Sequence, residues 1–233
     1  MATRIIPIFP LDLVLFPRQD LPLKIFEPRY KQMVEDCMMG DGLFGVCLTG
    51  SGDVMGWPAP VSTGTVTKIT GCRDAGLDGI QLHVDTLGRS KFRIVETVPP
   101  CVRMPPDYDP ATLEGHQRFQ EICERSGPGK PYIQAEVEMI PEIDGAVPES
   151  RWRRMVESWK RKTVRLALPQ VVDPRSLDHV LERYYLVTET PTPDYVYSLA
   201  ALGAGSPEDL QHILEADTVE VLMDRVDTLM EGG

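Results

Sequence analysis

Residues 8–30 read IFPLDLVLFPRQDLPLKIFEPRY, a stretch in which proline-bounded apolar runs give way to a helical period. The runs at 5–9 and 13–16 favour strand and stop at Pro10 and Pro17. A third run, 21–26, carries Pro22, which cannot donate to a ladder and so confines the segment to a sheet edge or a strand start. From Glu27 onward, Tyr30, Met33, Val34 and Cys37 fall at i, i+3, i+4 and i+7, with Pro28 in the first turn and Gly40 as the stop. That spacing predicts an amphipathic helix whose apolar stripe covers a sheet.

Downstream, strand composition resumes at 43–49, residues 50–53 (GSGD) read as a loop, and a further strand spans 64–70. Asp78-Gly79 marks a tight turn before 80–86, where Ile80, Leu82 and Val84 alternate with Gln81, His83 and Asp85. Gly88-Arg89 breaks the chain before a strand at 92–98, and 132–140 alternates Ile133, Ala135, Val137 and Met139 with polar residues. Short strands separated by Gly and Pro turns predict a small, nearly closed barrel. Residues 99–130 interrupt it as a proline-rich insertion containing a helix at 111–125.

From Pro148 the pattern is helical. Trp152, Met155, Val156, Trp159, Thr163 and Leu166 make one stripe, and the basic residues of 151–165 fall mostly elsewhere. Further helices start at Asp173-Pro174, Thr192-Pro193, Ser206-Pro207 and Asp217, each with a side-chain oxygen at the cap. Ser206 with Asp209, and Asp217 with Glu220, approximate reciprocal capping pairs. The class is therefore α+β, with a β-rich part over 1–145 and a helical bundle over 146–233.

A net charge of −11 in 233 residues argues against a nucleic-acid protein, because phosphate binding draws on clustered Lys and Arg. The amino terminus, broken by Pro7 and Pro10, is no signal peptide, and no run of apolar residues is long enough to span a bilayer, which places the chain in the cytosol. Five irregularly spaced cysteines without a C-x-x-C pair exclude a zinc framework, and Cys37 and Cys47 occupy apolar positions where a thiol behaves as a small hydrophobe.

The run 8–17 followed by 21–30 closely resembles the opening of stand-alone Lon substrate-binding-domain proteins, a family likeness shared with the Lon-like domain of cereblon. Phe44-Gly45-Val46, Gly64-Thr65 and Ile69 fit in order. Residues 88–94 (GRSKFRI) are similar to the family's G-x-x-R-F-R-I strand, with Lys91 in place of the first Arg. Residues 132–138 resemble its last barrel strand, and Ser206 through Arg225 its helical tail. The resemblance implies a PUA-like pseudobarrel followed by a helical bundle, recognition of unfolded or flexible polypeptide, and no chemistry.

The residues agree with that implication. Gly129-Lys130-Pro131 fails as a phosphate loop because Pro131 replaces the hydroxyl and Glu124 the first glycine. Gly50, Gly52 and Gly56 are spaced one residue too long for a dinucleotide fingerprint. Glu136 and Glu138 share a strand face that alternation makes a solvated one, and His83, His116, His179 and His212 are scattered, so no catalytic residue, metal ligand or cofactor site is assigned.

The expected function is a non-catalytic protein- or peptide-binding module, with Phe26, Tyr30, Met38 and Met39 as the candidate peptide surface. Its partners are unfolded or flexible polypeptide clients, with a protease or chaperone acting beside it. The alternatives are an RNA- or nucleotide-binding regulator using the barrel and the basic helix 151–165, and then a hydrolase assembled from distant residues.

Overall fold

The computed structural model describes residues 3–74, 81–166 and 174–232. The chain divides into two compact units, Met1–Pro141 and Glu142–Gly233. The first holds strands β1 (Thr3–Leu11), β2 (Leu23–Ile25), β3 (Leu43–Val54), β4 (Trp57–Asp74), β5 (Leu82–Val98) and β6 (Gln134–Met139), with helices α1 (Pro28–Met39) and α2 (Leu113–Arg125). The second holds α3 (Glu149–Leu166), α4 (Pro174–Arg183), α5 (Pro193–Ala201), α6 (Pro207–Leu214) and α7 (Val219–Glu231). The α+β class expected from sequence is the class observed.

The sheet runs β2-β5-β4-β3-β1-β6, and β6 also pairs with β5, so five strands close on themselves as a pseudobarrel. Closure depends on strands that change partner. Residues Thr3 to Pro7 of β1 pair antiparallel with β6, whereas Ile8 to Leu11 pair parallel with β3. Each half of β1 thus has one ladder partner, which is how a strand with neighbours on both sides accommodates Pro7 and Pro10. β5 likewise pairs with β2 through Leu82–Val84 and with β6 through residues 92–98.

Side chains alternate between two cores. Ile8, Cys47, Val66, Phe92, Ala135 and Val137 share one cluster, and Phe9, Val46, Phe44 and Val84 join Tyr30, Met33, Val34 and Cys37 of α1 in the other. The helix therefore covers the sheet with the stripe its spacing predicts.

Three strand expectations need correction. Residues 50–53 are not a loop but the end of β3; the turn is at Met55 and Gly56, both at positive φ, and Gly56 N donates to Asp53 Oδ1 at 2.7 Å. Two successive positive-φ residues fit a two-residue hairpin, a geometry that Met at the first position conceals in sequence. Gly88-Arg89 does not break the chain, because β5 runs through it. A Cβ on Gly88 would lie 2.5 Å from Phe16 O, so this glycine admits the crossing segment rather than a turn. That segment, 13–16, forms no strand; Leu15 and Phe16 are buried, and Leu15 O accepts from Thr65 Oγ1 at 2.5 Å. The expected Asp78-Gly79 turn and the Asp173 cap lie outside the described residues.

In the helical unit, α3 buries Trp152, Met155, Trp159 and Lys162, so its stripe continues through Lys162 and leaves Leu166 exposed. The reciprocal cap at Ser206 and Asp209 is present. The last helix is capped by Thr218, whose Oγ1 accepts from Val221 N, rather than by Asp217, and Thr192 makes no side-chain cap bond. Among the described residues, no helix is long and apolar enough to cross a membrane.

The ring of Phe92 fills the space left by two glycines on neighbouring strands. A Cβ on Gly45 would sit 2.6 Å from Phe92 Cζ, and one on Gly64 would sit 2.4 Å from Val46 O and 2.8 Å from the same ring. Gly64→Ala is expected to cost about 3 kcal/mol through overpacking against backbone, read as a lower urea midpoint at unchanged slope.

Candidate polypeptide-binding surface

The helix α1 opens without a side-chain cap bond at Glu27. The Glu27 carboxylate instead accepts from Arg29 Nε at 2.8 Å. Arg29 is 4% exposed, and its guanidinium lies between two rings, 3.8 Å from the Trp57 centroid and 4.2 Å from that of Tyr30. A planar, weakly hydrated cation is the side chain suited to such a stack.

Trp57 extends the assembly into the 99–130 segment. Its Nε1 donates to Val102 O at 2.8 Å, and its ring meets Tyr108 and Phe119 edge-on at 5.5 Å and 6.0 Å. Phe119 is buried, so α2 packs on the barrel and against α1. Burial pushes the Tyr30 and Tyr108 phenols upward, and the Tyr108 hydroxyl is buried with no hydrogen-bond partner among the described residues.

Between the two helices lies a cleft of about 460 Å³. Pro28, Lys31, Gln32 and Glu35 of α1 form one wall, Phe119, Gln120 and Cys123 of α2 the other, and Cys101 and Pro131 also line it. Burial, with Cys101 nearby, pushes the Cys123 thiol up to about 11, and burial pushes Cys37 to about 12. Both stay protonated near neutral pH and are poor nucleophiles. The cleft offers a mixed polar and apolar surface for contact.

At its border, Asp36 Oδ2 accepts from Lys130 Nζ at 2.8 Å and from Tyr132 OH at 2.6 Å. Burial alone would raise this carboxyl, but those hydrogen bonds outweigh it and hold Asp36 below its ordinary range. They tie the end of the inserted segment to the outer face of α1.

The candidate residues separate by helix face. Met38 and Met39, at the carboxy end of α1, are 55% and 79% exposed, and Phe26 is half-buried just before the helix. Tyr30 is not on the surface. It packs on Phe9 with ring centroids 4.1 Å apart, because it lies on the same stripe as Met33, Val34 and Cys37. The α2 wall was missed. The spacing of His116, Phe119 and Cys123 was the available signal that this helix has a face to bury.

The basic helix is partly neutralised within its own unit. Arg151 pairs with Asp224 at 2.5 Å and Asp227 at 2.7 Å, and Lys160 with Asp178 at 3.0 Å, while Arg153, Arg154 and Arg161 remain exposed. Among the described residues, no three His, Cys, Asp or Glu side chains gather in reach of one metal ion.

Two substitutions test this architecture. Arg29→Ala is expected to cost about 3 kcal/mol in chemical denaturation, and Arg29→Lys to recover only part, since it restores charge without the planar stack. Tyr132→Phe should cost about 1–2 kcal/mol near pH 7. A depressed carboxyl contributes its stability above its unfolded value, about 4, and loses it as pH falls through the folded value. Melts of parent and variant should therefore converge in acid.

The ATP-dependent protease La (LON) substrate-binding domain model matches residues 5–231. The crystal structure of a Lon N-terminal domain protein from Xanthomonas campestris aligns with TM-score 0.60 at 22% identity, covering 98% of each chain. The N-terminal domain of the Mycobacterium avium complex Lon protease aligns with TM-score 0.59 at 15% identity, covering 98% of this chain and 97% of that one. At those identities the two structures speak for the fold. No curated protein matches the chain. The family model spans both the barrel and the helices, and the chain belongs to the LON substrate-binding domain family.

Proposed function

We propose that this chain is a polypeptide-recognition module without turnover, which holds unfolded or flexible client segments and hands them to a protease or chaperone. The observation that carries this reading is the cleft between α1 and α2, with Met38 and Met39 exposed at the carboxy end of α1. Flexible, polarizable Met side chains adapt to varied client sequences, and a groove with both polar and apolar walls holds backbone and side chains together. The family, described as a substrate-binding domain, supports the same reading. We place the protein in the cytosol, where five unpaired cysteines stay reduced.

Fluorescence anisotropy with a labelled, permanently unfolded polypeptide and a folded control, at low and moderate salt, tests it. Binding should favour the unfolded chain and tolerate salt. Met38→Ser combined with Met39→Ser should weaken it about tenfold, the equivalent of about 1.4 kcal/mol of lost apolar contact. Gln120→Arg in the cleft wall should weaken it independently. Absence of binding to either polypeptide sinks the proposal, and steeply salt-dependent binding of RNA would replace it with recognition through the exposed arginines of α3.

A further inference from the structure

A second cavity, of about 450 Å³, lies wholly within the helical unit and is lined by residues of α3, α6 and α7. Lys162 faces it and is only 6% exposed. Lysine is almost never so buried unless a carboxylate answers its charge. Here its Nζ donates to Leu229 O at 2.6 Å, and no ion pair is formed among the described residues.

Arg225 lines the same cavity and donates to His212 O, again a backbone carbonyl rather than a carboxylate. The acid that lines the cavity, Asp209, is engaged elsewhere: its Oδ2 accepts from Ser206 N at 3.0 Å and Ser206 Oγ at 2.9 Å. Those bonds, foremost the one from the Ser206 backbone, hold its carboxyl below the ordinary range, with a smaller through-space contribution from Lys162 that forms no direct ion pair. Two cations thus share one cavity whose acid is committed to capping α6.

Terminal carbonyls of a helix are commonly satisfied by an exposed Lys or Arg, so capping alone gives no reason to desolvate the ammonium of Lys162. The remaining walls are partly apolar, with Ile213 and Leu229 lining the cavity beside the cations. The space is also much larger than a carboxylate needs, since one water occupies about 30 Å³.

We propose that this cavity is an anion site that takes a carboxylate carried on an apolar body. The carboxylate pairs with Lys162 and Arg225, and the apolar body rests on Ile213 and Leu229. Two sources supply that chemistry: the carboxy-terminal residue of a polypeptide, or a small free carboxylic acid. The site is independent of the α1–α2 cleft, and either can fail without the other.

The test titrates the isotope-labelled full chain with three probes: a short peptide ending in a free leucine carboxylate, the same peptide amidated, and acetyl-leucine. Amide resonances of His212, Arg225 and Leu229 report the site by NMR. The free-acid peptide should shift them and bind at least about tenfold more tightly than its amide. Lys162→Met and Arg225→Gln should each remove that preference while melting curves stay cooperative. Lys162→Met removes a buried charge held by a backbone carbonyl and fills its place with an apolar chain of similar length, and Arg225→Gln is the second, independent variant. Acetyl-leucine binding as tightly as the peptide assigns the site to small acids, and weaker binding assigns it to polypeptide termini. Equal binding of acid and amide, no shifts with any probe, or unchanged preference in both variants overturns the proposal.

Discussion

A guanidinium held between two aromatic rings joins the parts of the first unit that sequence order keeps apart. Arg29 comes from the first turn of α1, Trp57 from the start of β4, and Trp57 in turn contacts Tyr108 and Phe119 of the segment between β5 and β6. Burying a full charge is costly unless it is paired, and the Glu27 carboxylate at 2.8 Å provides the pair. The stack therefore specifies one arrangement of helix, hairpin and inserted segment, because few other packings satisfy that charge. The cleft between α1 and α2 exists because this arrangement fixes both of its walls.

The barrel beneath them closes through changes of partner. β1 exchanges β6 for β3 at Pro7 and Ile8, and β5 exchanges β2 for β6 along its length. Prolines that would disrupt a doubly paired strand are accommodated because each half of β1 uses one side. Phe92, set against Gly45 and Gly64, occupies the space that closure leaves in the interior.

Much of this was legible in the residues. The four apolar positions of α1 specified its buried face, alternation at 132–140 located β6, and Ser206 with Asp209 specified the start of α6. Charge and glycine misled where tertiary contact overrode local preference. Arg29 and Lys162 look like solvated cations in sequence, yet both are buried, one by aromatic stacking and one by a cavity wall. Gly88 looks like a turn, yet it serves the approach of another backbone. Tyr30 looked available for recognition because a tyrosine suits both surfaces and cores; only its packing on Phe9 decides between them. The cleft was illegible because its walls lie on helices separated by three intervening strands.

Ring closure has a consequence for any protein that meets unfolded chains. An unfolded polypeptide is an extended strand in search of a partner, and an open sheet offers it a template on which both molecules can aggregate. A sheet whose ends pair with each other has no terminal strand within the ring, and the strand outside it, β2, is three residues long. The fold thus gives an extended chain little backbone to copy, and under the proposed function a client would be held by side-chain contact, reversible and tolerant of sequence.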